Sequence, residues 1–417
     1  MSKRVLIIGG GVIGLCSAYY CARRGFDVTV LERQSAQRDG CSFGNAGMIV
    51  PSHFVPLAAP GAVALALKWM ANSASPFYLK PRLSWDLFSW CLRFWRASNA
   101  AHVRRAAPLL RDLSLDSRAA YEGLAASLGE DFGLAKKGLL MLCKEARTLD
   151  EEAKTAELAC SLGIPAEVLD AKQTAARDPG VRMDVAGSVY FPLDCHLVPG
   201  RFMAGLETKL HELGVRFVWD APALGWREKG ATLTAVRSAH GEHEAGEFVL
   251  CGGVWSAELA RELGLRLPMQ AGKGYSLTLP RPRQLPQICC IFSEARVAVT
   301  PMNGALRFGG TLEIAGLNED INPVRVRGIL SAVPKYYPDF RPEDFDGVRP
   351  WCGLRPCSPD GLPFLGRTRK FANLAIAAGH AMMGMSLGPV TGRLIAQILA
   401  GERPAWDLSL LSPDRFG

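Results

Sequence analysis

Residues 5–32 constrain this chain more than any other stretch. An apolar run, Val5-Leu6-Ile7-Ile8, meets Gly9-Gly10-Gly11-Val12-Ile13-Gly14, and a second run, Val28-Thr29-Val30-Leu31, ends in Glu32. Strand, glycine turn, helix and strand in this order predict a βαβ dinucleotide-binding unit. Gly9 permits the tight turn, Gly11 leaves backbone bare where a pyrophosphate must approach, and Gly14 lets the helix lie close on the strand. The phosphates then sit on a helix N-terminus. Glu32, 18 residues after Gly14, is placed to accept hydrogen bonds from an adenosine ribose. Its charge repels a 2′-phosphate, which disfavours NADP. Val12, Ile13 and Arg33 adjoin these positions and are taken with them as cofactor-binding residues.

The motif alone does not separate FAD from NAD, because both carry the same ADP half. The other end of the chain bears on that choice. Asn373 to His380 predicts a strand, Met383 to Pro389 a loop, and Val390 to Leu399 a helix halted by Gly401. The partial positive charge of that helix N-terminus suits the anion of a reduced flavin, whereas a nicotinamide has no such need. An ordinary strand, loop and helix closing an α/β sheet is the plainer alternative.

Further segments carry a specific likeness: Ser42-Phe43-Gly44-Asn45-Ala46-Gly47-Met48, Gly252-Gly253-Val254-Trp255-Ser256, Trp351 to Pro363 and Gly379-His380. With the N-terminal motif they resemble the D-amino acid oxidase superfamily of FAD enzymes, most of all its D-amino acid dehydrogenase branch, over nearly the whole chain. Val50 to His53 and Ala381 to Pro389 are more similar to the D-hydroxyproline dehydrogenases within that branch. The resemblance implies an α/β fold in which a Rossmann-like FAD-binding domain (1–58, 194–258 and 347–417) is interleaved with an α+β substrate domain (59–193 and 259–346). The substrate domain should contain a mainly antiparallel sheet, with Asn303-Gly304 as a hairpin turn. Phe202, Leu206 and Leu210 fall on one face of a helix expected from Pro199, with a strand after Gly214. The same resemblance adds Ser42, Asn45, Ala46, Gly47, Met48, Ala223, Gly252, Gly253, Gly353, Gly379, Gly384, Met385 and Ser386 to the residues expected around the cofactor.

Oxidising an amine at a flavin requires Cα–H held over flavin N5, an amine that has lost its proton, and little water. Gripping the substrate carboxylate orients the carbon, and a guanidinium does so through two parallel hydrogen bonds while staying charged. Arg355 stands in an intact Gly353-Leu354-Arg355-Pro356 segment, whose arginine binds the substrate carboxylate in the family. A structural salt bridge is the alternative for Arg355. His53, with a pKa near neutrality, is a candidate to take the ammonium proton, against a purely structural histidine. Tyr275 is a candidate for the active-site wall, against an ordinary half-buried strand tyrosine. Met382, Met383 and Met385 suggest an apolar, adaptable lining. Relatives place an arginine or polar group near Met382, so its apolar character favours a ring substrate.

The expected reaction is FAD-dependent oxidation of a free D-amino acid, D-proline or cis-4-hydroxy-D-proline, with electrons passed to a quinone or a carrier protein. A glycine or sarcosine oxidase using oxygen and an FAD-carrying relay subunit are the alternatives. Twelve cysteines are scattered without metal spacing, so no metal site is expected, and the family's flavin-attachment motif is absent. His240 and His243 fall in a polar turn. Lys3 and Arg4 precede only four apolar residues, which is no secretory signal, and no apolar stretch spans a bilayer. A cytoplasmic enzyme is expected, with peripheral contact on the inner face of the cell membrane left open. That opening comes from residues 68–96, where eight aromatics interleave with cations. Trp85, Phe88, Leu92 and Trp95 fit one helical stripe, which suits either packing on the substrate domain or a bilayer or quinone-protein contact. Packing is the expectation. The net charge of +8 permits an acidic partner or anionic lipid. Nucleic acid is not expected, since no basic tract or binding motif is present.

Overall fold

The computed structural model describes residues 3–70, 75–128 and 131–417. Two sheets organise them. The first has six strands in the order Phe364–Arg367, Leu374–Ala378, Glu247–Leu250, Arg4–Ile8, Asp27–Leu31 and Arg216–Val218, parallel except at the Phe364–Arg367 edge. Leu374–Ala378 and Phe248–Leu250 are buried throughout, as the unbroken apolar runs of a sheet covered on both faces require. Helices Val12–Arg23 and Gly384–Leu399 pack against each other on one face. A side chain at Gly392 would fall 2.4 Å from the Cys16 backbone, so glycine sets their close approach. In helix Pro199–Glu212 the side chains of Phe202, Leu206 and Leu210 are buried, and strand Arg216–Val218 follows Gly214.

The second sheet is nine-stranded and mainly antiparallel, running from Trp351–Cys357 at one edge through Gln270–Leu279, Ala305–Ile314 and Val297–Met302. Its parallel pairs are Cys289–Phe292 with Leu139–Cys143 and Ala305–Ile314 with Phe77–Leu79. Asn303 and Gly304 both have positive φ, 52° and 91°, the signature of a two-residue hairpin turn. The two sheets meet where Cys357 bridges to His380. His243 Nε2 lies 2.8 Å from Ser238 Oγ within a surface hairpin, which accounts for that histidine.

The structure corrects two expectations. The last helix begins at Gly384, six residues before Val390, and carries Pro389 inside it. Proline cannot donate to the carbonyl of Met385 four residues earlier. The Tyr121 hydroxyl donates to that carbonyl instead, at 2.5 Å, so the turn closes without the missing N–H. The stripe on helix Trp85–Ala97 is not the packed face: Leu87 and Trp90 are buried, while Trp85, Phe88 and Trp95 are exposed. No helix among the described residues is long and apolar enough to cross a membrane.

Candidate active site

A cavity of about 370 Å³ opens at the C-terminal ends of Arg4–Ile8 and Glu247–Leu250, where the strand order reverses direction. Gly9, Gly11, Val12, Ile13, Glu32, Arg33, Ser42, Asn45, Ala223, Gly252, Gly253, Gly353, Gly384 and Met385 all line it. Local backbone chemistry builds the mouth. Gly9 has φ 110°, and a Cβ there would lie 2.5 Å from the Cys251 carbonyl oxygen. A Cβ on Gly14 would lie 1.8 Å from the Gly9 carbonyl, so this glycine holds helix to strand and stays behind the wall. Gly11 differs, because the nearest atom to its missing Cβ is Ser42 Oγ at 3.4 Å. Space therefore remains in front of the helix N-terminus.

The polar groups fit an adenosine and a pyrophosphate. Glu32 is buried and accepts from Gly10 N at 2.6 Å and Gln34 N at 2.9 Å, leaving lone pairs on both oxygens for a ribose. Ser42 Oγ accepts from Val12 N at 3.0 Å and so steadies the helix start. At the far end, helix Gly384–Leu399 presents its first turn to the same cavity. His380 lines it too, and its buried Nδ1 has no hydrogen-bond partner among the described residues. Burial pulls the His380 pKa down to about 3, so the ring is neutral there.

Arg355 is not itself part of the cavity wall but lies on Trp351–Cys357 between Leu354 and Pro356, which line it. Its guanidinium lies over Gly274 of the neighbouring strand, where a Cβ would come within 2.1 Å of Nη2. Nη1 donates to the Thr311 carbonyl at 2.6 Å. Among the described residues no carboxylate pairs with it, which removes the salt-bridge alternative. Its charge reaches the cavity-lining Cys41, opposing the burial that raises that thiol to about 11.

Residues 4–398 match the family described as DAO, FAD dependent oxidoreductase. The chain belongs to this family. Among its relatives are the D-amino acid dehydrogenases of Granulibacter bethesdensis, 32% identical over 99% of both chains, and of Methylobacterium radiotolerans, 34% identical over 96% of both. Glycine oxidase from Geobacillus kaustophilus, 23% identical, shares the fold over the full length of both chains with a TM-score of 0.80. The family takes FAD as its cofactor, and the lining of this cavity fits it. Glu32, Ala223 and the Gly9–Val12 turn would hold the ADP half there, and Gly353, Leu354, Gly384 and Met385 the ring end.

Three expected site residues have other surroundings in this FAD-dependent oxidoreductase. Tyr275 pairs with Cys352, whereas Arg355 pairs with Gly272, so strand alternation sends the tyrosine to the opposite face of the sheet. There its ring joins the second core and its hydroxyl donates to Glu313 at 2.6 Å. His53 does not line the cavity, and burial, aided by Arg296, lowers its pKa to about 4. It is neutral at working pH but too weak a base to match the expected near-neutral group. Met382 is half-exposed in the turn Ala381–Met383, next to the cavity-lining Ala381. Ala46, Gly47, Met48, Gly379 and Ser386 stand behind the wall: Gly47 accepts from Leu197 N, and Ser386 Oγ accepts from Val50 N.

Sequence reasoning missed Arg38, Cys41, Trp255 and His380 as wall residues. Arg38 is buried and donates to the Gly10 carbonyl from both Nε and Nη2 at 3.1 Å, bracing the glycine turn. No local pattern marks it. Trp255 stacks beneath Arg33, whose Cζ is 3.4 Å from the ring centroid.

Behind His53, Asp194 accepts from Ser52 N and Ser52 Oγ, and burial raises its pKa from 3.8 to about 7. The folded state therefore binds a proton that the unfolded chain has already released, so this group costs stability as pH rises from 4 to 7. Asp194→Asn should remove that slope. Melting temperatures of wild type and variant should converge near pH 4 and separate toward pH 7, with the variant higher; parallel curves across this range would contradict the assignment.

Proposed function

We propose that this chain is an FAD-dependent D-amino acid dehydrogenase whose preferred substrate is a cyclic secondary amine, D-proline or cis-4-hydroxy-D-proline. The observation that carries the reading is Arg355: a guanidinium seated on a glycine floor, tied to one backbone carbonyl, lacking a carboxylate partner among the described residues, and adjoining the FAD cavity. Of its five N–H donors one is used among the described residues, so a planar carboxylate is its natural complement. The names of the 32–34% identical relatives support the same class.

Bound FAD supplies the acceptor for the hydride leaving the substrate α-carbon. The protein's part is to bind and orient. Arg355 fixes the carboxylate, and Leu87, Trp90 and Ile314, clustered with Cys357, shield that face of the sheet from water. His53 is a weak base outside the cavity wall and Tyr275 lies on the other face of the sheet, so the ammonium releases its proton to solvent water before the carbon reacts. The apolar Met382 at the rim favours a ring over a charged side chain. The same reading assigns the six-stranded sheet to a cofactor domain and the nine-stranded sheet to a substrate domain. Electrons then pass to a quinone or carrier protein.

Anaerobic bleaching of the flavin tests this across D- and L-amino acids, D-proline, cis-4-hydroxy-D-proline, glycine and sarcosine. The cyclic D-imino acids should bleach it fastest. Reduced enzyme should reoxidise slowly in air and quickly with a soluble quinone. Preferential bleaching by glycine or sarcosine, with peroxide formed at the full turnover rate, would replace this reading with an amine oxidase.

A further inference from the structure

Helix Trp85–Ala97 has two apolar faces. On one, Leu87 and Trp90 are buried with Ile314, Cys357 and Ala381, and Trp90 Nε1 donates to the Cys357 carbonyl at 2.9 Å. On the other, Trp85, Phe88 and Trp95 follow the i, i+3, i+10 spacing of one stripe and are 78%, 58% and 62% exposed. The rings of Trp85 and Phe88 lie 5.5 Å apart, so they meet each other at the surface. Leu83, just before the helix, is fully exposed. Helix Ala62–Met70 is apolar at every position except Lys68, and none of its residues is buried. Single exposed apolar residues are ordinary on a protein surface; a helix face of large aromatics is not.

Charge says what such a face meets. Residues 62–96 hold Lys68, Lys80, Arg82, Arg93 and Arg96 against one acid, Asp86, which is already paired with Arg261. Lys68, Lys80 and Arg96 are exposed. Tryptophans flanked by cations match the headgroup zone of an anionic bilayer, where an amphipathic ring and a snorkelling cation are both satisfied. An apolar protein partner would leave the cations unmatched.

We propose that the outer face of helix Trp85–Ala97, with helix Ala62–Met70 preceding it, docks this enzyme peripherally on an anionic lipid bilayer. Trp85, Phe88 and Trp95 enter the headgroup layer, and Lys68, Lys80 and Arg96 lie among the lipid phosphates. The contact goes beyond the reaction proposed above and does not depend on which amino acid is oxidised.

The test is co-sedimentation of the purified, FAD-loaded enzyme with vesicles of phosphatidylcholine alone or mixed with phosphatidylglycerol, with no substrate present. Partitioning should be roughly tenfold or more stronger on the anionic vesicles and should weaken in about 0.5 M salt. The triple variant Trp85→Ser, Phe88→Ser, Trp95→Ser and the charge variant Lys80→Glu, Arg96→Glu should each lose most of that binding. Both should retain flavin content and dye-linked turnover within about twofold, because neither touches the inner face of the helix. Equal sedimentation of wild type and both variants, or none with either vesicle, would overturn the proposal. A doubled mass in light scattering that the triple variant abolishes, without vesicle binding, would assign the face to a second copy of the chain.

Discussion

Arg355→Lys and Arg355→Met should each lower kcat/KM for the amino acid by about two orders of magnitude or more, with Met the worse. Lysine keeps the charge but replaces a planar fork by a point donor, and methionine keeps length but leaves the carboxylate without a cation. A charge-assisted hydrogen bond contributes about 1.5–3 kcal/mol, and each 1.4 kcal/mol is about tenfold in rate. Misalignment of the α-carbon adds to that loss. FAD content should not change, since the hydrogen bond of Arg355 within the protein goes to the Thr311 carbonyl rather than to the cavity wall. Gly274→Ala offers an independent probe: its Cβ would press on Nη2 from 2.1 Å, displacing the guanidinium while preserving its charge. An intermediate loss in kcat/KM is expected. Steady-state kinetics with a dye acceptor on flavin-replete protein measures all three, and an Arg355→Met enzyme with wild-type kcat/KM would remove this residue as the carboxylate anchor.

What the sequence made legible was local in origin. The spacing of Gly9, Gly11 and Gly14 is dictated by a turn and a helix start within a few residues, and each has the close approach or open space expected of it. Asn303-Gly304 and the Phe202, Leu206, Leu210 stripe are likewise decided by adjacent backbone or by helical period. The errors arose where a distant group decides. Pro389 reads as a helix breaker until Tyr121, far away in the chain, satisfies the freed Met385 carbonyl. Tyr275 reads as a wall residue until its register against Trp351–Cys357 turns it from Arg355. His53 reads as a neutral-range base until burial and Arg296 depress it. The Trp85 stripe has the same period whether it faces inward or outward. Only the fit of Leu87 and Trp90 against strands remote in sequence fixes the choice. Arg38 braces Gly10 across a loop of no recognisable pattern.

Gly11→Val should yield a folded, colourless protein, because this glycine alone of the three conserves space for the cofactor rather than for the fold. Gly11 has φ −74° and ψ 179°, a backbone conformation open to any residue, and a Cβ there meets nothing closer than Ser42 Oγ at 3.4 Å. The valine methyl groups would instead occupy the cavity before the helix N-terminus, where a pyrophosphate must approach backbone N–H groups. The neighbouring glycines serve as controls. Valine at Gly14 would drive Cβ to 1.8 Å from the Gly9 carbonyl, and at Gly9 it would combine a φ of 110° with a 2.5 Å clash on Cys251, so both should fail to give soluble protein. Flavin absorbance per chain after purification should be near zero for Gly11→Val. Its melting temperature should match that of wild-type protein stripped of FAD and fall below that of the holoenzyme, since a ligand present at about 1,000 times its Kd stabilises the folded state by about 4.1 kcal/mol. Wild-type colour should leave with the supernatant on acid precipitation, as a site built from backbone, Glu32 and helix ends would hold FAD without a covalent bond. A fully yellow Gly11→Val protein would show that the pyrophosphate does not lie at this turn, and colour retained in the acid pellet would show that a side chain has bonded to the flavin.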